Sequence, residues 1–181
     1  LAREWPDACF FQRHGKRLIH RNRYQLDFRH PTVRAHADAV VDRLVGWGVG
    51  YIKMDYNIDA GIGTDWQADS PGDGLLQHQR AYAEWLDTVF ERHPSLTIEN
   101  CSSGGMRLDW SLLARHSIAS SSDQQDYRLN GRIAALGPSA ATPEQWAVWA
   151  YPLAASSREE TVFNMVNALL GRIHLSGQLA A

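Results

Sequence analysis

The sequence predicts an α/β protein, and within that class a segment of a (β/α)8 barrel covering about strands three to eight. Two observations carry this. Strand-like and helix-like segments alternate in units of about 25 to 45 residues, which implies parallel strands joined by crossovers. Chemically loaded residues also fall at the C-terminal ends of successive strand candidates: Asp27, Asp55, Glu99 to Cys101, and Asp123. An open doubly wound sheet binds ligands at one switch point, whereas a barrel builds its site from many strand ends. Four loaded ends favour the barrel. A whole barrel needs about 250 residues, so the 181 residues present form one domain, 1–181, that holds part of one.

The elements follow in order. "RNRYQLDF" alternates like a strand. After "RHP", Val33, Ala37, Val40, Val41, Leu44 and Val45 keep helical spacing, with Pro31 and Thr32 suited to the first turn and "GWGVG" to the end. "YIKMD" reads as a short strand, followed by a loop rich in Gly, Asp and Ser up to Gly74. An amphipathic helix is predicted over 75–90, closed by His93-Pro94. "LTIEN" is the next strand and "CSSGG" a tight turn; a short helix over 108–115 leads to "SIASS" and the polar "SDQQDY". The 146–153 stretch fits strand or helix edge, "REETVFNMVNALLG" a helix, and "RIHLSG" a strand.

Composition excludes several functions. Apolar content of 44%, charged content of 21% and a net charge of −2 suit a globular protein. No Lys/Arg run exceeds two residues, so neither a nucleic-acid partner nor a membrane-surface patch is expected. No apolar run approaches the roughly 18 residues of a membrane span. Two cysteines, Cys9 and Cys101, form no disulfide framework and no CxxC pair, which fits a reducing, cytoplasmic compartment. Both ends, "LAREWPD" and "HLSGQLAA", look cut from a longer chain.

In "YIKMDYN", Lys53 and Asp55 stand two apart on a strand and so share a face. A carboxylate beside an ammonium is favoured in its ionised form, which suits a nucleophile or electrostatic stabiliser better than a general acid. A solvated ion pair at a strand terminus is the commoner meaning of such a pairing. What shifts the balance is the carboxylates of "SSSDQQDY", Asp123 and Asp126, near another strand end. Two carboxylates facing each other across a barrel mouth are the equipment of glycoside hydrolysis. Gly104-Gly105 in "ENCSSGGMR" allows close backbone approach to a ligand, or only a tight turn. No G-x-S-x-G elbow is present, and Cys101 reads as a buried, inert thiol.

Asp55, Asn57 and Asp59 alternate like the start of a calcium loop, but the sixth and twelfth positions are Ala60 and Trp66 where Gly and Glu are required. Eight histidines include no HExxH pattern, and no GxGxxG or P-loop occurs. No metal and no cofactor are expected. Seven tryptophans are compatible with sugar binding without requiring it.

Together the motifs "RNRYQLD", "YIKMDYN", "ENCSSGGMRLD" and "SDQQD" resemble glycoside hydrolase family 36, the bacterial α-galactosidase group, over essentially the whole chain. The opening "EWPD" looks like the "HPDW" region of that family. The resemblance implies a (β/α)8 barrel hydrolysing terminal α-galactosides or oligosaccharides with retention. It places the nucleophile on Asp55 and the acid/base on Asp123 rather than Asp126. It makes Lys53, Arg21, Cys101, Gly104 and Asn57 sugar contacts. It also implies that the first two barrel strands and an N-terminal β-sandwich lie outside this chain, and it allows a homo-oligomer. Met54 stands where the family has Trp, Tyr56 follows the nucleophile, "SDQQD" replaces "Ser-Asp-Asp-Thr-Asp", and the family's paired sugar-gripping aspartates have no match. Galactosyl transfer of the raffinose-synthase type and a non-catalytic carbohydrate-binding barrel are the alternative readings.

Overall fold

The computed structural model describes residues 1–177, which divide into two compact units. One comprises Leu1–Gly50 with Asn57–Leu96, the other Tyr51–Tyr56 with the chain from Thr97 onward.

The first unit opens with two small antiparallel hairpins, β1 (Gln12–Arg13) with β2 (Lys16–Arg17), and β3 (Ile19–His20) with β4 (Arg23–Tyr24). Each turns on two residues of positive φ, His14-Gly15 and Arg21-Asn22. That is the backbone a two-residue hairpin needs to match strand twist. "RNRYQLDF" is therefore a correction to the expected barrel strand. Arg21-Asn22 breaks it into a turn, and its second half pairs antiparallel with 9–11 through Phe11 N–H to Gln25 O and Asp27 N–H to Cys9 O. Asp27 thus does not end a strand of the parallel sheet.

Asp27 is 1% exposed, and the Arg29 guanidinium grips it through Nε (3.0 Å) and Nη2 (2.6 Å). Burial alone would raise its pKa. The His78 ring and the Arg29 donors outweigh burial and hold it at about 2. Because this lies below the unfolded value of 3.8, the carboxylate contributes on the order of 2 kcal/mol above that value, lost as pH falls toward about 2. Asp27→Asn is expected to flatten the loss of stability between about pH 5 and about pH 2.5, read as urea midpoints. An unchanged acid dependence would remove Asp27 from this role.

α1 (Pro31–Gly46) is capped by the His30 side chain, which accepts from Thr32 N–H. α2 (Pro71–Arg92) begins before the expected 75 because Ser70 Oγ accepts from Asp73 N–H and Pro71 takes the first turn. Trp85 Nε1 and Arg92 Nη2 both donate to Asp38 Oδ1, tying α2 to α1.

The second unit holds a five-stranded sheet: β5 (Tyr51–Asp55), β6 (Thr97–Cys101), β7 (Ile118–Ser120), β8 (Trp146–Ala150) and β9 (Arg172–Leu175). All neighbours are parallel and in chain order. Along the chain helices alternate with these strands: α2 of the first unit follows β5, then α3 (Trp110–Leu113), α4 (Tyr127–Leu136) and α5 (Arg158–Ala168). Five sequential parallel strands with alternating helices are an open arc of a (β/α)8 barrel. The arc has one strand fewer than expected because 21–28 turns at Arg21-Asn22 and then pairs antiparallel with Ile19–His20 and with 9–11.

Of 146–153, Trp146–Ala150 form the strand β8; its residues are buried on both faces, which erases the alternation that marks a half-exposed strand. Trp146, Val148 and Ala150 form a core with Ala134 of α4 and Ala168 of α5. A methyl group at Gly131 would sit 3.0 to 3.2 Å from Asn167 and Phe163, so glycine lets α4 and α5 approach. That same glycine lowers the intrinsic helix propensity of 127–136.

Candidate active site

Strand pairing builds the site. The β5–β6 register sets Lys53 opposite Glu99 and Asp55 opposite Cys101. Because side chains alternate between faces, these four share one face of the sheet. Ser120 of β7 joins them, its Oγ donating to Glu99 Oε1 at 2.5 Å. Trp149 of β8 lies under Lys53 Nζ, 4.4 Å from the ring centroid. His174 of β9, paired in register with Trp149, meets that ring edge-on at 4.9 Å. In a closed barrel this face is the interior, and its C-terminal rim is where sites form.

Glu99 sits at the centre. It is 2% exposed, accepts from Tyr51 OH and Ser120 Oγ, and lies 3.8 Å from Lys53 Nζ and 3.9 Å from His174 Nδ1. A buried carboxylate keeps its charge only when donors and a cation surround it. Burial lowers the His174 pKa, with Lys53 and Arg172 adding to it against Glu99, so the imidazole is neutral near pH 7. Burial, the bond to Glu99 and the charge of Glu99 raise the Tyr51 pKa, so its hydroxyl stays a donor.

Asp55 is exposed at the end of β5. Burial raises the Cys101 pKa and the Asp55 carboxylate adds to this; Ser120, Gly104 and Lys53 oppose it. The thiol stays protonated and presents S–H to Asp55, in keeping with an inert rather than nucleophilic cysteine.

The loops above the strands are stitched in sequence. Tyr56 N–H donates to Cys101 O at 2.9 Å, and Ser102 Oγ donates to Tyr56 O, joining the ends of β5 and β6. Gly104 has φ +79°, and a Cβ there would fall 2.6 Å from Ser122 Cα and 3.0 Å from Asp123 N. One at Gly105 would fall 2.6 Å from Ser121 O. The Gly-Gly pair thus serves close approach to the neighbouring loop, the one that carries Asp123. Asp123 is exposed, and burial followed by its negative charge raises the Tyr151 pKa. Asp126 is occupied otherwise: as N-cap of α4 its Oδ1 accepts from Arg128 N–H (2.8 Å) and Leu129 N–H (3.2 Å).

The predicted residues Lys53, Asp55, Cys101, Gly104 and Asp123 therefore lie on three adjacent strands and the loops that follow them. Arg21 and Asn57 belong to the first unit. Arg21 occupies the β3–β4 turn, and the Asn57 carbonyl accepts from Arg23 Nη1 at 3.1 Å. Glu99 was expected at a strand end and instead stands inside β6. Trp149, Tyr151 and His174 were not singled out: β8 is buried on both faces and shows no alternation, and His174 joins Trp149 only through the β8–β9 pairing. Among the described residues, no group of three or more His, Cys, Asp or Glu is placed to hold a metal ion, and no helix is long and apolar enough to cross a membrane.

The sequence profile of the melibiase family matches residues 1–148. The chain belongs to the melibiase family. The α-galactosidase Mel36A of Lactobacillus acidophilus is 30% identical over 112 residues, 60% of this melibiase-family chain and 15% of that protein. The fold is shared with the GH36 α-galactosidase AgaA of Geobacillus stearothermophilus, at TM-score 0.80 and 18% identity over 98% of this chain and 26% of that one. It is shared too with the galactosidase domain of the α-galactosidase-sucrose kinase AgaSK, at TM-score 0.73 and 22% identity over 97% and 24%. The family and the partial barrel expected from the motifs are thereby confirmed. The chain spans only 15% to 26% of the length of these three relatives.

Proposed function

We propose that this melibiase-family protein is a retaining glycoside hydrolase acting on terminal α-galactosides by double displacement. The observation that carries the proposal is the pair of carboxylates Asp55, at the end of β5, and Asp123, in the loop that follows β7. The third carboxylate nearby, Asp126, is consumed in capping a helix. Variants of the similar AgaA have been crystallised with raffinose and with stachyose, which supports an oligosaccharide as substrate class.

In the first displacement a carboxylate oxygen of Asp55 bonds to the anomeric carbon as the glycosidic C–O bond breaks, and Asp123 gives its proton to the departing oxygen. In the second, water attacks that carbon from the side the aglycone left. Its proton passes to Asp123, and Asp55 departs as carboxylate. The Cys101 S–H beside Asp55 and the Lys53 ammonium line the same face and are suited to sugar hydroxyls.

The test is hydrolysis by the full-length protein of an aryl α-galactoside against a panel of other aryl α-glycosides, with the product anomer followed by NMR. The expected result is preference for the galactoside and α-galactose as the first product. A β-anomer first, or a faster α-glucoside, would refute the proposal. Dominant galactosyl transfer to an added sugar acceptor would move the assignment to the transferase alternative.

A further inference from the structure

Glu99 takes no part in the two displacements, yet it is the most heavily engaged side chain on the site's face. Its Oε2 accepts from Tyr51 OH and its Oε1 from Ser120 Oγ (2.5 Å), so the carboxylate is fixed from β5 and β7 at once. The Lys53 ammonium, 3.8 Å from Oε1, is also drawn onto the face of Trp149 of β8, 4.4 Å from the ring centroid. The other basic group facing Glu99, His174, is neutral and does not compete for it. Two anions could claim Lys53: Glu99 across the strand pair, and Asp55 two residues along the same strand and face.

We propose that Glu99 is a positioning residue that holds the Lys53 ammonium between itself and Trp149 and so keeps it from closing onto the Asp55 carboxylate. This rests on the function proposed above. An ammonium nearby keeps the nucleophile ionised, but one bonded directly to it would tie up the carboxylate lone pairs, and attack on the anomeric carbon would first have to break that pair. Held instead against Glu99 and Trp149, the same ammonium keeps N–H donors free for a sugar hydroxyl. Glu99→Gln preserves shape and an acceptor for Tyr51 or Ser120 while removing the charge that retains Lys53.

The test is a double-mutant cycle in the full-length enzyme: Glu99→Gln, Lys53→Met and both together, assayed on an activated aryl α-galactoside, with thermal midpoints recorded. Glu99→Gln is expected to lower kcat/KM at least about tenfold, mostly through kcat, and to add nothing further in the Lys53→Met background. A purely structural role would multiply the two losses. If Glu99→Gln does not fold, Tyr51→Phe decides. It removes one hydrogen bond that orients Glu99 and should cost about threefold in wild type and nothing in Lys53→Met. Wild-type activity with Glu99→Gln within twofold of it, or with multiplying losses, overturns the positioning role and leaves the proposed function standing. Absence of α-galactoside hydrolysis by the wild type overturns both.

Discussion

Asp55→Ala is expected to lower kcat toward an aryl α-galactoside at least about a thousandfold, the scale on which removal of an attacking nucleophile acts. The fold should be indifferent to the change. Asp55 is exposed at a strand terminus, and the contact it surrenders is the S–H of Cys101. Midpoints of thermal unfolding should therefore agree within a few degrees. A chemical readout separates a lost nucleophile from a distorted site. In Asp55→Gly, azide can occupy the vacated space and attack the anomeric carbon of an α-galactoside directly. A single displacement then yields β-galactosyl azide as the aryl oxide departs, and kcat rises with azide concentration. Residual activity above a tenth of wild type, or no azide adduct in the glycine variant, would dismiss Asp55 as nucleophile.

Asp123→Ala should lower kcat by about 10²- to 10⁴-fold for substrates with a sugar leaving group, the range attributed to general acid–base catalysis. Aryl oxides need little protonation to depart, so the first step should be spared for a nitrophenyl galactoside. Loss that grows with the basicity of the leaving group is the signature of a missing acid. Asp126→Ala is the matched control. It removes two bonds to the first turn of α4, which costs about 1 kcal/mol of stability, and it should leave kcat near wild type. Were Asp126→Ala the crippling change and Asp123→Ala the mild one, the roles of the two aspartates would be exchanged.

Local signals carried most of what could be foreseen. β5, β6 and the body of α2 were legible because each combines a clear period with a clear stop: Lys53 and Asp55 share a face, and His93-Pro94 closes the helix, whereas its start at Ser70-Pro71 lay inside what read as a loop. The hairpin at Arg21-Asn22 was missed because alternation of polar and apolar residues is the same on both arms of a tight turn; only the left-handed backbone distinguishes them. α4 was missed because Gly131, which its packing against α5 requires, depresses the helical signal. Asp55 and Asp123 were visible as residues, but their companions were not. Glu99 meets Lys53, and Trp149 meets His174, only through the pairing of strands distant in sequence, and no local pattern states which residue stands opposite which. The reason for Gly104-Gly105 was hidden likewise, since the Ser122–Asp123 backbone it admits comes from the next strand's loop.

β5 has a single neighbour in the five-stranded sheet, so the height of Asp55 above the barrel floor is dictated by one ladder, that with β6. A slip of two residues would keep every side chain on its own face and cost the apolar pattern nothing. It would nonetheless bring Lys53 opposite Cys101, installing a cation in the place that Asp55 holds beside that thiol. The Lys53–Glu99 pair opposes that slip, since sliding would strand a buried carboxylate without its cation. The ion pair is thus also a ratchet tooth for strand assembly, favouring the one register in which Asp55 stands beside Cys101.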